Sequence, residues 1–262
     1  MGNIDWSNPD WAYLLGVVHG DGCVAPRSID IAVGYKDAEY ADSLIALWRR
    51  LGYEPKVYRP RSALKLSFHS AALARVFRQF KSKGIWSLPE HLSLGHWLAG
   101  VFDTDGCVSL ASKKCAVVIT LKRSGNLQLV ADALEQIGTA RPTVHNRVSK
   151  FNGKDYKVEE LRLTSFANIL AFSKEVYLRH PRKKQRLLET ISYIDAVQSV
   201  VPLWKQIAEY CKEPRTWKEI ATQFSITKDQ VDSALQRIKA EREVEIIPPP
   251  EALTRYLVKD QS

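Results

Sequence analysis

A long internal repeat limits the folds open to this chain more than any other feature. Tyr13 to Val24 reads YLLGVVHGDGCV, and Trp97 to Val108 reads WLAGVFDTDGCV, so that Leu, Gly, Val, Asp, Gly, Cys and Val recur in step. An apolar strand ending in lysine follows each copy (IDIAVGYK to Lys36, VVITLK to Lys122). Then come a helix closed by glycine (Gly52, Gly138), two strands carrying basic residues, and another helix. Asp21 and Asp105 are 84 positions apart, whereas Lys36 and Lys122, like Gly52 and Gly138, are 86 apart. A hairpin two residues longer in the second copy accounts for the change. A period of this length marks a duplicated subdomain and not a solenoid unit.

Each copy reads as helix, strand, strand, helix, strand, strand, helix, an α+β pattern. The first repeat is expected at 1–90 with its motif at 14–22, and the second at 91–198 with its motif at 98–106. Asn8-Pro9 reads as an N-cap followed by a first-turn proline. Ile29, Ile31 and Val33 alternate with Asp30 and Ala32, as a half-buried strand requires. Residues 199–262 differ. PLWKQIAEYC and TWKEIATQF read as helices, and a short turn leads to TKDQVDSALQRIKAE. Thr216 with Glu219, and Thr227 with Gln230, have capping-box spacing. Two short strands around a triple proline complete the order of a small winged helix-turn-helix domain.

Gly16 and Gly20 share a helical face. Glycine at that spacing lets two backbones approach closely, and Ala99 and Gly100 supply small residues in the second copy. The two repeat helices are therefore expected to pack about a pseudo-twofold axis, against the plainer reading of single helices that tolerate glycine. Each ends at Asp-Gly, with Asp21 and Asp105 in the last turn and Gly22 and Gly106 in a left-handed C-cap. Carboxylates there face the negative end of the helix dipole, and pairing the helices sets them against each other. A divalent cation between them resolves the conflict, and oxygen ligands suit magnesium.

LLGVVHGDG and LAGVFDTDG resemble the two motifs of single-chain LAGLIDADG homing endonucleases, over roughly residues 8 to 197. The resemblance implies two pseudo-symmetric αββαββα repeats forming a DNA-binding saddle. It implies catalytic roles for Asp21 and Asp105. It also implies a site for Mg2+, or another divalent cation such as Mn2+, made by Asp21, Asp105 and the backbone carbonyls of Gly20 and Thr104. Cleavage across the minor groove would leave 3′ overhangs. Lys36 and Lys122 align with the polar position that the family uses to hold solvent or the scissile phosphate; plain phosphate contact or a solvated lysine is the alternative. The sixth motif position departs, being His19 in one copy and Asp103 in the other. The second basic residue of many family members has no evident counterpart, since His69-Ser70 and Thr164-Ser165 stand in that region. An appended winged helix is not the usual family architecture.

The chain has 262 residues, 38 basic against 29 acidic, and a formal charge of +9. That excess favours a polyanionic partner, nucleic acid before anionic membrane, and the length suits one large or two smaller domains. No apolar run is long enough to span a bilayer. Cys23, Cys107, Cys115 and Cys211 form no CxxC pair, so zinc is not indicated and reduced thiols in an intracellular protein are expected, in cytoplasm, nucleoid or an organelle. On TVHNRV, Thr143, His145 and Arg147 share a face, and on ELRLT, Arg162 and Thr164 point away from the leucines. Arg27, Arg59, Arg61, Lys65, Lys113, Lys114 and Lys150 lie on or beside other strands and hairpin tips. These are the expected contacts to double-stranded DNA, with the polar side of an ordinary sheet as the alternative. In the C-terminal segment Lys228, Gln230 and Arg237 would lie on the recognition helix. The run His180 to Arg186 fits either a phosphate grip or a solvated helix face. The expected activity is site-specific double-strand cleavage by a monomer. A catalytically silent LAGLIDADG and helix-turn-helix regulator, or a maturase binding group I intron RNA, are the alternatives.

Overall fold

The computed structural model describes residues 4–82, 85–111, 114–122, 126–151, 153–199, 203–241, 244–247 and 255–258. Two compact units, Met1–Ile194 and Asp195–Ser262, make up the chain.

In the first unit, repeat one runs α1 (Pro9–Gly20), β1 (Gly22–Val24), β2 (Ser28–Val33), α2 (Ala38–Arg50), β3 (Lys56–Tyr58), β4 (Leu64–His69) and α3 (Ala71–Gln79). A small hairpin follows, β5 (Lys81–Ser82) and β6 (Ile85–Trp86). Repeat two runs α4 (Leu94–Asp105), β7 (Gly106–Ala111), β8 (Lys114–Lys122), α5 (Asn126–Gln136), β9 (Val144–Phe151), β10 (Lys154–Leu163) and α6 (Phe166–Glu175). Helix α7 (Pro181–Ser199) comes next, and the division between units falls inside it. Each repeat folds as αββαββα around a four-stranded antiparallel sheet, ordered β1-β2-β4-β3 and β7-β8-β10-β9. The registers match: Ile31 stands opposite Leu66 in the first sheet, and Ile119 opposite Leu161 in the second.

The elements form for local reasons. The Asn8 side chain accepts from the Asp10 N–H at 2.8 Å and Pro9 opens the first turn, so α1 starts where the sequence says. Period-two alternation buries Ile29, Ile31, Leu66 and Phe68 on one sheet and Val117, Ile119, Leu161 and Leu163 on the other. Burying each such side chain stabilises by about 1.5–3 kcal/mol. The helices cover these faces, with Trp48 stacked on Phe68. Gly52 and Gly138 take φ of +84° and +94° just after α2 and α5, a region that favours glycine.

Three expectations need correction. Gly22 and Gly106 are not left-handed caps; both begin strands, and φ at Gly106 is −84°. Glycine is required there by crowding, because a Cβ on Gly22 would lie 2.4 Å from Val18 Cα, and one on Gly106 2.6 Å from the Phe102 carbonyl oxygen. Lys36 does not end a strand. β2 stops at Val33, and Asp37 N–H donates to the Gly34 carbonyl at 2.9 Å, closing a 3-10 turn over Tyr35–Asp37. Lys122 does end β8, so the two lysines sit on different local structures. Thr143 precedes β9 by one residue.

The second unit contains α8 (Leu203–Tyr210), β11 (Arg215–Thr216), α9 (Trp217–Phe224), α10 (Lys228–Glu241), β12 (Val244–Ile247) and β13 (Arg255–Val258), with strand order β11-β13-β12. Thr216 and Glu219 form the reciprocal capping box of α9. Thr227 and Gln230 exchange the same pair of bonds before α10. Ile207, Cys211, Ile220, Val231 and Ile238 are the centre of its core.

Candidate functional site

The site begins with the contact between α1 and α4. A Cβ on Gly16 would lie 2.0 Å from the Trp97 carbonyl oxygen, and one on Gly100 would lie 2.1 Å from that of Tyr13. The two backbones touch, and Gly16 and Gly100 are the reciprocal small residues that permit it. Four residues on, a Cβ at Gly20 would lie 2.5 Å from Asp105 Oδ2. The helix pair therefore sets the second carboxylate against the end of the first helix. Asp21 is the C-cap residue of α1, and Asp105 is the last residue of α4.

The electrostatics record this crowding. Burial, then the Asp21 charge, raise the Asp105 pKa to about 7, against the pull of Lys183 and a bond from Thr104. Asp21 is accessible at the surface but hemmed in by protein, and that desolvation raises its pKa too. Asp105 Oδ2 receives no hydrogen bond among the described residues. Asp103 is buried and its pKa rises to about 6 through burial, although its Oδ2 accepts from Tyr13 Oη at 2.6 Å and from the N–H groups of Arg179 and His180 at 2.7 and 3.0 Å. Its role is to anchor the chain entering α7. Arg179 adds to the anchor, bonding Asp10 at 2.7 Å and lying 4.3 Å from the Tyr13 ring.

That anchor places a residue the motifs did not single out. Lys183 Nζ donates to the carbonyl oxygens of Phe102, Asp103 and Thr104 at 3.0, 2.8 and 2.9 Å. It caps the negative end of α4 and lies within electrostatic reach of Asp21, Asp103 and Asp105. Burial lowers its pKa, and the three aspartates oppose that shift. The sequence holds a signal for it. On α7, Lys183 continues the inward stripe of Leu187, Thr190 and Ile194 at helical spacing, so of the two lysines in the basic run it is the one that turns inward.

A pocket of about 290 Å³ opens on the first-repeat side, lined by Asp21, Lys36, Asp37, Tyr40, Thr104 and Lys183 among others. Lys36 thus shares a cavity with Asp21 although its strand ended early. Among the described residues no cluster of three or more His, Cys, Asp or Glu side chains is positioned to hold a metal. The donors that suit a divalent ion are the two motif carboxylates and backbone carbonyls. The orphaned Asp105 Oδ2, and two carboxylates whose charged forms are both disfavoured by burial, fit a cation. The Thr104 carbonyl already serves Lys183. His19 is buried, stacked on Trp86 at 5.0 Å and near Trp97 at 5.5 Å.

The sheets carry the remaining candidates. Arg27, Arg59 and Arg61 are exposed beside the strands of the first sheet, and Lys65 holds Asp30 at 3.0 Å on its outward face. In the second sheet Thr143, His145, Arg147, Arg162 and Thr164 are exposed. Arg147 and Arg162 both pair with Glu160, the latter at 2.6 Å, and the Glu160 carboxyl stays below its usual range because the bonds to the two arginines outweigh its burial. Lys65 and Arg162 are each steadied by an acid on the same face of their sheet. Lys113 lies outside the described residues, as do the side chains of Lys114, Lys122 and Lys150. On α10, Lys228, Gln230 and Arg237 are exposed.

The first unit is thus a pair of αββαββα repeats joined through Gly16 and Gly100, with an aspartate at the end of each joining helix. Residues 94–177 match the family described as the LAGLIDADG-like domain. The chain is similar in structure to full-length DUF199/WhiA from Thermatoga maritima, at 16% identity and TM-score 0.49, covering 90% of this chain and 92% of that one. It is also similar to the homing endonuclease I-DmoI in complex with DNA and Ca, at 16% identity and TM-score 0.49, covering 69% and 98%. A further likeness is to the homing endonuclease I-WcaI bound to its DNA recognition sequence, at 14% identity and TM-score 0.48, covering 71% and 88%. No curated protein sequence matches the chain. Among the described residues no helix is long and apolar enough to cross a membrane.

Proposed function

We propose that this protein is a site-specific endonuclease that cuts double-stranded DNA with a divalent cation, Mg2+ or Mn2+, and leaves 3′ overhangs. The observation that carries this reading is the Asp21–Asp105 pair. Two helices are packed backbone to backbone so that their carboxylates meet where neither stability nor the helix dipoles favour them. A bound cation would activate water and neutralise charge developing on the phosphate. Asp21 and Asp105 would hold it, with the Gly20 carbonyl. Lys36, in the pocket beside Asp21, would steady the scissile phosphate, with Lys122 in that role in the second repeat.

Arg27, Arg59, Arg61, Lys65, Lys113, Lys114, Thr143, His145, Arg147, Lys150 and Arg162 would face the duplex. Glu160 and Asp30 hold the central basic side chains extended before DNA arrives, lowering the entropy lost on binding. The second unit would act as a winged helix-turn-helix, presenting Lys228, Gln230 and Arg237 from α10. The protein would act as an intracellular monomer, its two active sites being on one chain.

One observation favours a second reading, a silent DNA-binding regulator or intron-RNA maturase: the Lys183 ammonium already occupies the Thr104 carbonyl. A single experiment separates the two. The purified protein is incubated with a randomised duplex library and Mg2+ or Mn2+. Discrete double-strand cuts, lost in Asp21→Asn and in Asp105→Asn while binding persists, establish the endonuclease. Binding with no cutting at any metal concentration establishes the silent reading.

A further inference from the structure

We propose that Lys183 is a built-in cation that fills the second repeat's half of the carboxylate site, so that the protein binds one divalent cation where two motifs would suggest two. This rests on the metal-site reading of Asp21 and Asp105.

An ammonium has three hydrogens and no acceptor capacity. Here the carbonyl oxygens of Phe102, Asp103 and Thr104 surround it at 2.8–3.0 Å, one for each hydrogen. The group is saturated by backbone at the end of α4, where an oxygen-seeking cation would otherwise gather. Its position is fixed. Asp103 accepts the N–H groups of Arg179 and His180, Arg179 bonds Asp10, and Arg182 reaches Asp37 at 3.1 Å on the other side. Lys183 therefore enters the site on a helix tied down at its first turn.

Among the described residues, repeat one shows no such device. Its last helix, α3, leads through the β5–β6 hairpin into α4, with no helix corresponding to α7. Among the described residues no lysine donates to the Gly20 carbonyl. The sequence duplication is near-symmetric at the aspartates, but the charge around them is not. A divalent ion that used the Thr104 carbonyl would lose it to Lys183 and meet the ammonium's positive charge. An ion held through the Gly20 carbonyl keeps its backbone ligand, since among the described residues no lysine occupies it.

The test is a Mn2+ titration of the metal-free full-length protein without DNA, with free Mn2+ followed by electron paramagnetic resonance. The wild type is expected to bind one Mn2+, and Lys183→Met to gain a second site or at least tenfold in affinity. Two equivalent sites in the wild type overturn the proposal, and that reading needs no folded variant. An unchanged number and affinity in Lys183→Met, with its circular dichroism native, also overturns it. Binding lost in Asp21→Asn but indifferent to Lys183→Met defeats this proposal while leaving the metal site standing. No Mn2+ binding in wild type and variant alike defeats both.

Discussion

At the residue scale, the two motif aspartates carry a stability consequence with a definite sign. The folded pKa of Asp105 rises to about 7 from 3.8, so the native state holds its proton more tightly than the unfolded chain. The stabilisation is complete below the unfolded value and is lost as pH rises through about 7. The full shift corresponds to about 4 kcal/mol, and the partial opening of the site reduces the expected effect to about 1–2 kcal/mol. In EDTA, Asp105→Asn should therefore melt higher than the wild type at pH 8, with the gap closing towards pH 4. A constant difference across that range, read by thermal denaturation, would show that the carboxyl is not held neutral by its surroundings. Both aspartates were legible from the repeat alone, because their spacing and their awkward place at a helix end are sequence properties. Lys183 carries a local signal in the inward stripe of α7, but what it meets depends on a fold-back of 79 to 81 positions onto α4 that no local pattern encodes. Gly22 and Gly106 were legible as necessary glycines but not for their reason, because crowding by Val18 and Phe102 is invisible in a dipeptide.

At the element scale, the α1–α4 contact carries both the fold and the site. Gly16→Ala would place a methyl group 2.0 Å from the Trp97 carbonyl oxygen and 2.9 Å from Val101 N, backbone on both counts. Neither can swing aside, so the helices must separate, and the expected cost is about 3 kcal/mol. Gly34→Ala makes a suitable control, because its nearest neighbour would be 3.7 Å away, and the effect should stay within about 0.5 kcal/mol. Urea titration of both variants checks the pair; equal midpoints would deny that the helices are in backbone contact. Strand alternation was the most legible layer, since one buried face imposes a strict period of two. The β5–β6 hairpin and the turn at Lys36 were missed because two-residue strands and single 3-10 turns leave no periodicity. The outward row of each sheet gives a further expectation. Arg162→Ala, if that side chain reads a base, should weaken specific duplex binding by about 1–3 kcal/mol and relax preference at one position. Glu160, deprived of one partner, would still hold Arg147.

At the scale of the whole molecule, each unit has its own core, one around α1 and α4 and the other around Ile207, Ile220 and Ile238. The division inside α7 matters for dissecting them. A chain ending at Ser199 keeps the whole helix, including Lys183 and the Leu187, Thr190 and Ile194 stripe, whereas one ending before Pro181 removes the counter-charge from the site. The longer truncation should keep the melting behaviour of the first unit and lose a share of DNA affinity. The share is measurable through salt. The 38 basic residues against 29 acidic are spread over both units, and each phosphate contact releases counterions. If the full chain makes roughly 6–10 phosphate contacts, its affinity should fall about 10³–10⁵-fold between about 50 and 200 mM salt. Losing the second unit should flatten the slope of log affinity against log salt by roughly one for each contact it supplied. Fluorescence anisotropy of a labelled duplex, with both chains titrated across that range, gives the two slopes. Identical slopes would mean that α10 does not touch the backbone and that the second unit's partner is not DNA. A shallower slope with unchanged sequence preference would make it a clamp, leaving all reading of bases to the sheets.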